Sequence, residues 1–325
     1  MTLPRRLLLG SSLALPALHA ARAQDAFPSR PIRLVVPFPP GGSTDVIGRV
    51  IAAELQTRLK QSVVVDNRPG ASGTVGSAGV VRAPADGYTL LFSNVASQGV
   101  MPALSPQNVT FDPVGDFTHI GMIGVYWATL IVHPSFPART LAEFIAEAKK
   151  RPGEINFASS GIGSSPHLFM EILKLDAGID IVHVPYRGSG PALSALLANE
   201  VPAMADSLPS STPHIRAGAV RALGVSSGQR VAAFPDLPTF AEQGFPRMAV
   251  DNWYGISAPP GLPAPIRETI ATALNDALRD PAVGERLRGL GLEPKVMNDD
   301  AFRTFIGDMF TLWKDIVKDA NIRAD

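Results

Sequence analysis

The fold is decided by Ile32-Arg-Leu-Val-Val-Pro-Phe-Pro-Pro-Gly-Gly-Ser-Thr-Asp45, in which an apolar strand-like run enters a glycine turn and then a helix. The run 32–36 is short, apolar and rich in β-branched residues, which predicts a buried strand. The helix after Ser43 is predicted from apolar residues at steps of three and four: Val46, Ile47, Val50, Ile51, Leu55 and Leu59. A strand followed directly by a helix is the building unit of a parallel α/β sheet.

The same alternation continues along the chain, so the sequence predicts an α/β fold. Two capping-box pairs, Thr140 with Glu143 and Thr239 with Glu242, predict helices that begin at Leu141 and Phe240. The chain from Pro263 onward has a mainly helical pattern. The further strands are expected at 62–65, 88–92, 128–132, 155–158, 181–184, 203–206, 220–225 and 253–258.

The first 23 residues have the pattern of an export signal. Arg5 and Arg6 precede the apolar run 7–15, and Ala21-Arg22-Ala23 offers a cleavage site of small residues. Cleavage near Ala23 would remove three arginines from 29 basic residues and none of the 29 acidic ones, which leaves 26 − 29 = −3. This charge does not favour a nucleic-acid partner. The absence of cysteine excludes disulfides and thiolate metal sites.

Two loops have the chemistry of an anion site. In the first loop (37–45), prolines end at Pro40, and Gly41, Gly42, Ser43 and Thr44 then present consecutive backbone N–H groups at a helix start. In the second loop (158–167), Ser165 is the expected N-cap and Pro166 the first helical residue. Each loop could also be an ordinary helix cap. One helix N-terminus stabilises an anion by only about 0.3–2 kcal/mol, so micromolar binding favours two loops that close on one ligand.

Other chemistries fit the sequence less well. Neither glycine cluster is followed by the lysine of a phosphate-binding loop. The run 224–228 has the Gly-x-Ser-x-Gly spelling of a hydrolase, but no helix pattern follows it and every histidine precedes Ser226. The histidines also lack the spacing of a metal site, so neither a metal nor a cofactor is expected.

Five separated motifs resemble the tripartite tricarboxylate transporter substrate-binding family, also called Bug-type receptors. The resemblance extends in order from about Pro31 to the C-terminal helices. Its motifs are the opening run 32–45, Asp66-Asn-Arg-Pro-Gly70, Ala158-Ser-Ser-Gly-Ile-Gly-Ser-Ser-Pro-His-Leu168, Val184-Pro-Tyr-Arg-Gly188 and Phe234-Pro-Asp-Leu-Pro-Thr-Phe-Ala-Glu-Gln-Gly244.

The resemblance implies a periplasmic, monomeric binding protein of the two-domain, Venus-flytrap kind (periplasmic-binding-protein type II), without enzymatic activity. Residues 26–125 plus 246–325 are expected to form one domain and 126–245 the other. The partners would be a small organic acid and a membrane permease of the tripartite tricarboxylate type. A sensor for a membrane signalling protein and a secreted α/β hydrolase are the alternatives. The ligand-binding residues that the resemblance implies are Phe38, Pro40, Gly41, Gly42, Ser43, Thr44, Asp45, Ser159, Ser160, Gly161, Gly163, Ser164 and His167.

Several polar and aromatic residues have two interpretations. Arg187 could bind a second carboxylate or brace its loop, and Asp206 could contact the ligand or cap the turn that follows. Asp45 would repel a carboxylate, so we expect it to bond loop amides or water. Trp127 and Trp253 are expected in the core or in a wall of the site.

Overall fold

The computed structural model describes residues 27–319 and Ile322, so the predicted export signal lies outside the described residues. No helix within this described part is long and apolar enough to cross a membrane. The strands are β1 (Ile32–Val36), β2 (Val63–Asn67), β3 (Thr89–Asn94), β4 (Thr118–Tyr126), β5 (Ala128–Val132), β6 (Asn156–Ser159), β7 (Val182–Pro185), β8 (Ala203–Ser207), β9 (Arg221–Val225), β10 (Asn252–Ala258) and β11 (Leu292–Pro294).

The strands form two mixed sheets that are connected by two passages of the chain. The six-stranded sheet has the order β11-β4-β10-β3-β1-β2, and the five-stranded sheet has the order β7-β6-β8-β5-β9. Trp127 alone separates β4 from β5, and residues 226–251 lead back from β9 to β10. The predicted α/β class is therefore confirmed, with the five-stranded sheet drawn from the middle of the chain.

Helices cover both sheets. They are α1 (Ser43–Leu59), α2 (Thr74–Val81), α3 (Met101–Leu104), α4 (Leu141–Lys150), α5 (Ser165–Ala177), α6 (Ser189–Leu197), α7 (Leu208–Arg216), α8 (Ala264–Arg279), α9 (Pro281–Gly289) and α10 (Asp299–Asp319). The stripe predicted on α1 is buried at Ile47, Val50, Ile51 and Leu55. It packs with β1 and α8 in the largest core. A second core lies between the five-stranded sheet, α4 and α5.

The nine predicted strands all form, and β4 and β11 are two that the sequence did not predict. Glycine disfavours strands, and Gly121 and Gly124 interrupt the apolar pattern of β4. The fold needs the second of them, because a Cβ at Gly124 would lie 2.3 Å from the carbonyl oxygen of Glu293 in β11. Gly124, one of the two glycines that break the apolar pattern of β4, is thus the residue that lets β11 approach it.

The capping predictions have mixed outcomes. Thr140 caps α4 as predicted, and its side chain accepts a hydrogen bond from Glu143 N. The box at Thr239 and Glu242 also forms its hydrogen bonds, but the predicted helix at Phe240 is wrong. The chain turns back there, with Phe245 N bonded to Phe240 O and Gly244 at a φ of 94°. In α5 the N-cap is Ser164 and not Ser165, so Pro166 follows one residue inside the helix.

Candidate ligand-binding cleft

The two glycine-rich loops predicted from the sequence line one cleft between the two sheets. Its free volume is about 20 Å³, room for about one water molecule, so the two sides of the cleft are nearly closed on each other. No lining residue carries a charged side chain. The lining residues are Phe38, Pro39, Gly42, Ser43, Thr44, Asn94, Ala96, Tyr126, Ser160, Ser164, Ser165, Pro166, Ser189, Ser207 and Tyr254.

Four helices begin at the wall of this cleft. Helix α1 starts at Ser43 on one side, while α5 and α6 start at Ser165 and Ser189 on the other, and Ser207 is the N-cap of α7. In α1, α6 and α7 no side chain caps the first turn. The first N–H groups of α1 and α6 and the positive ends of four helix dipoles therefore face one small space, which suits an anion. In α7, Leu208 N already donates to Trp127 O at 2.8 Å and Pro209 has no N–H, so this helix adds only its dipole.

Hydrogen bonds to the Asp45 side chain fix the shape of the first loop. The Asp45 carboxylate accepts hydrogen bonds from Gly41 N (3.0 Å), Asn67 Nδ2 (3.0 Å) and Arg49 Nε (3.0 Å). Burial raises the pKa of Asp45, but its hydrogen bonds with Arg49, Gly41 and Asn67 outweigh burial and the net pKa is lowered. Asp45 thus bonds a loop amide as expected, and its charge is already matched by Arg49.

The second loop is tied together by its own serines. Ser164 Oγ donates to Gly161 O (2.7 Å) and accepts from His167 N (3.3 Å). Ser159 Oγ accepts from Gly161 N (3.1 Å), and His167 Nδ1 accepts from Gly163 N (3.3 Å). The N–H groups of Gly161 and Gly163 are therefore used inside the loop. The groups that line the cleft are Ser160, Ser164 and Ser165.

Asp206 is a brace and lies outside the cleft lining. It is fully buried and accepts hydrogen bonds of 2.6 Å from the hydroxyls of Ser189, Ser210 and Ser211. Burial raises its pKa, and the serine hydrogen bonds act in the opposite direction without cancelling the rise. Of the two sequence interpretations, the structure favours the cap, because Asp206 joins the first turns of α6 and α7.

Some predicted residues lie close to the cleft without lining it. Pro40 and Gly41 are exposed at its edge, and the Pro40 carbonyl faces Gly190 across the gap between the two sheets. Arg187 is exposed and forms no hydrogen bond or ion pair with the described residues. The predicted residues in the lining are Phe38, Gly42, Ser43, Thr44, Ser160 and Ser164.

The tyrosines of the cleft wall were missed by the sequence analysis. Tyr254 and Tyr126 stack with ring centroids 4.2 Å apart, and Tyr254 Oη lies 2.7 Å from Ser43 Oγ. Burial raises the pKa of both phenols, so each stays protonated and able to donate at neutral pH. Both sit in strands of the six-stranded sheet. No local motif marks them, since an isolated aromatic in a strand is ordinarily a core residue.

Asn94 is a further lining residue that the sequence analysis missed. Its Oδ1 accepts from Ser97 N at 3.0 Å, which fixes the amide. Its Nδ2 is buried and has no partner among the described residues. An unpaired buried donor costs free energy, so Nδ2 is a group that a ligand oxygen could satisfy.

The two tryptophans lie elsewhere. Trp253 is in the core, with its ring centroid 5.4 Å from that of Phe302. Trp127 lies at the passage between the sheets, where its Nε1 donates to Asp251 at 2.7 Å. Neither residue lines the cleft, so neither is placed to stack on a ligand there.

Comparison with known proteins agrees with this architecture. Residues 47–322 match the model of the tripartite tricarboxylate transporter family receptor. The protein BugT of Bordetella pertussis is 36% identical over 316 residues, which cover 97% of each chain. The chain belongs to this receptor family.

Solved structures of other proteins share the fold of this receptor. A Rhodopseudomonas palustris protein solved with adipate has a TM-score of 0.88 and 34% identity, and covers 91% of this chain and 99% of its own. MatC from the same organism, solved with bound malate, has a TM-score of 0.84 and 32% identity over 90% of this receptor and 100% of its own chain.

The family and these neighbours are binding proteins, and the hydrolase-like spelling at 224–228 has a structural explanation in this receptor. Ser226 is 2% exposed. Its Oγ accepts a hydrogen bond from Ala128 N at 2.9 Å and lies 3.4 Å from Val250 O. Its hydroxyl therefore links the two chain passages between the sheets. It is buried, whereas a catalytic nucleophile must be accessible to substrate.

Proposed function

We propose that this chain is a periplasmic receptor that captures a small organic carboxylate between two domains and delivers it to a permease of the tripartite tricarboxylate type. The observation that carries the proposal is the convergence of four helix N-termini on one uncharged cleft. The relatives solved with adipate and malate support a carboxylate as the ligand. In this proposal the chain has no catalytic role.

The two domains would be residues 26–125 with 246–325, and residues 126–245. The two chain passages next to Trp127 and Asp251 would act as the hinge. Each helix N-terminus stabilises an anion by about 0.3–2 kcal/mol, and micromolar binding needs about 8 kcal/mol. The donors of both domains must therefore act together. A carboxylate that touches both domains favours the closed state, because its affinity for that state is greater.

We assign the carboxylate to the amides that begin α1 and α5. Gly42, Ser43, Thr44, Ser160 and Ser165 would donate to it, with Asn94 Nδ2 and the Tyr254 hydroxyl as further donors. Ser164 would shape the loop, because its N–H and its hydroxyl both donate to Gly161 O. Asp45 and Asp206 would act indirectly, since each is bonded to the loop or helix starts that it supports. These donors are uncharged, and no carboxylate side chain lines the cleft to compete with the ligand for them.

The test is a thermal-shift and calorimetry screen of the mature chain with malate, adipate, citrate, aspartate and benzoate. An acid at 100 times its Kd should stabilise the protein by about 2.7 kcal/mol. The methyl esters of the same acids are the matched control, and they should give no shift because the anion is lost. Equal binding of an acid and its ester, or no shift with any acid, would contradict the proposal.

Location and transport need separate tests. Amino-terminal sequencing of protein from a periplasmic extract should find a start near Gln24. Cells that lack the gene should lose uptake of the acid that binds the purified protein. Restored uptake with the wild-type gene would support delivery to a permease, and uptake that never depended on the gene would favour a sensor.

A further inference from the structure

A stack of two histidines lies behind the second loop and outside the cleft. His167 is in the first turn of α5 and 6% exposed, and His183 is on β7 and half-buried. Their rings are parallel within 19°, with centroids 4.2 Å apart. His183 also stacks on Phe157 at 4.9 Å. The three rings form one layered packing element under the loop.

Each histidine holds one end of the loop through a ring nitrogen. His183 Nε2 lies 2.7 Å from Ser159 Oγ, which in turn accepts from Gly161 N. His167 Nδ1 accepts from Gly163 N, so in the neutral ring the proton of His167 is on Nε2. The Gly161 amide thus donates to Ser159 and the Gly163 amide to His167, away from the cleft. Ser160 and Ser165 are left to line the cleft.

Both glycines have left-handed backbones, which glycine adopts without steric cost. Gly161 has a φ of 125° and Gly163 a φ of 74°. On the opposite side, Ser72 Oγ donates to Ile162 O at 2.6 Å, and Met101 packs against Gly163. The loop therefore lies between the histidine pair on one side and Ser72 and Met101 on the other, and a shift of either ring would move the donors that line the cleft.

Resting on the proposed carboxylate function, we propose that His167 and His183 are positioning residues, a stacked pair whose ring nitrogens hold residues 159–164 in the carboxylate-binding shape. Neither histidine touches the ligand. A protonated His167 would lose its acceptor at Nδ1 and present a second donor to Gly163 N. Affinity therefore requires a neutral His167.

The surroundings of the pair favour the neutral state. Burial, with a smaller contribution from Lys174, lowers the pKa of His167 to about 4. Burial likewise lowers the pKa of His183 to about 4, followed by the effect of His167, while Glu171 acts in the opposite direction. Glu171 Oε1 lies 3.9 Å from His167 Nε2, and the Glu171 carboxylate is itself paired with Lys174 at 3.0 Å. The facing residues Phe157, Ser159, Ser72 and Met101 carry no charge.

The first experiment measures the Kd of the acid identified above at pH 7. His167→Leu and His183→Leu should each weaken binding by roughly threefold to tenfold, the range expected for one lost hydrogen bond. His167→Asn and His183→Gln keep an acceptor near Nδ1 and Nε2 respectively and should restore most of the affinity. Full affinity in both leucine variants would overturn the proposal. If wild-type protein bound no acid at all, the proposed function would fail instead.

The second experiment is a pH profile, which a purely structural role would not change. The double variant His167→Asn/His183→Gln is compared with wild type using the same ligand, so the ionisation of the ligand cancels. Near pH 4, where His167 is half-protonated, wild-type binding should weaken about twofold relative to the variant. A ratio of the two Kd values that stays constant from pH 7 to 4 would contradict the proposal.

A third measurement needs no variant and no acid. Long-range ¹⁵N–¹H spectra at pH 7 report which ring nitrogen carries the proton. They should place the proton of His167 on Nε2. A proton on Nδ1, or a charged ring, would refute the hydrogen bond on which the positioning role depends.

Discussion

Replacing Gly190 with leucine should block closure of the cleft without harming the separate halves of the protein. Gly190 is the second residue of α6, and a Cβ placed there would lie 3.0 Å from the carbonyl oxygen of Pro40 in the first loop. Because Pro40 belongs to the other side of the cleft, the clash exists only when the two sides meet. The rest of the leucine side chain would add to it.

The expected loss follows from the cost of overpacking. Forcing extra carbons into a packed contact costs about 1–3 kcal/mol, which corresponds to a roughly 5–150-fold increase in Kd. The free protein should keep its stability or gain slightly, since leucine favours a helix over glycine by nearly 1 kcal/mol. Calorimetry gives the Kd, and urea unfolding without ligand gives the stability.

Gly79→Leu is the matched control. Gly79 is an exposed glycine in α2, and a Cβ added to it would meet no other atom within 4 Å, so leucine there should leave the Kd unchanged. Wild-type affinity in Gly190→Leu would refute the idea that Pro40 and Gly190 meet in the bound state. A large loss of stability without ligand would show that the contact is not limited to that state.

Two further predictions concern buried ionisable groups. Asp206→Ala should destabilise the protein by roughly 2–4 kcal/mol in urea unfolding, because three buried serine hydroxyls lose their acceptor, and Asp206→Asn should recover part of that loss; equal stability of all three proteins would contradict the bracing role. His119 has its pKa lowered to about 4 by burial, against about 6.5 in an unfolded chain. Below pH 6.5 the unfolded state therefore binds a proton that the folded state does not, and stability falls as the pH drops toward 4. Between pH 7 and 5 this amounts to about 2 kcal/mol, which His119→Asn should remove from the pH dependence. An unchanged pH dependence in that variant would refute the assignment.

The local signals in the sequence determined the α/β class and the two loops. Strand 32–36 and helix α1 follow from the spacing of apolar residues, and the hydrogen bond at Thr140 follows from capping chemistry within a few residues. These features depend on neighbours in the chain, so pattern analysis can reach them. For α5 the predicted cap, Ser165, was wrong by one residue, because Ser164 is the N-cap. The same reasoning failed at Thr239, where the box formed but the chain turned before a helix could extend.

Only the tertiary structure decided which groups complete the cleft. Tyr254 meets Ser43 across 211 positions of sequence because β10 and β3 pair in the same sheet that carries β1. Asp206 hydrogen-bonds to serines and does not line the cleft, and His183 contacts the second loop from a strand that follows it in the chain. Long-range pairing of strands sets these neighbours, and it depends on the packing of whole faces of the protein. A sequence motif fixes which residues can donate, whereas the packed sheets fix which donors share one space.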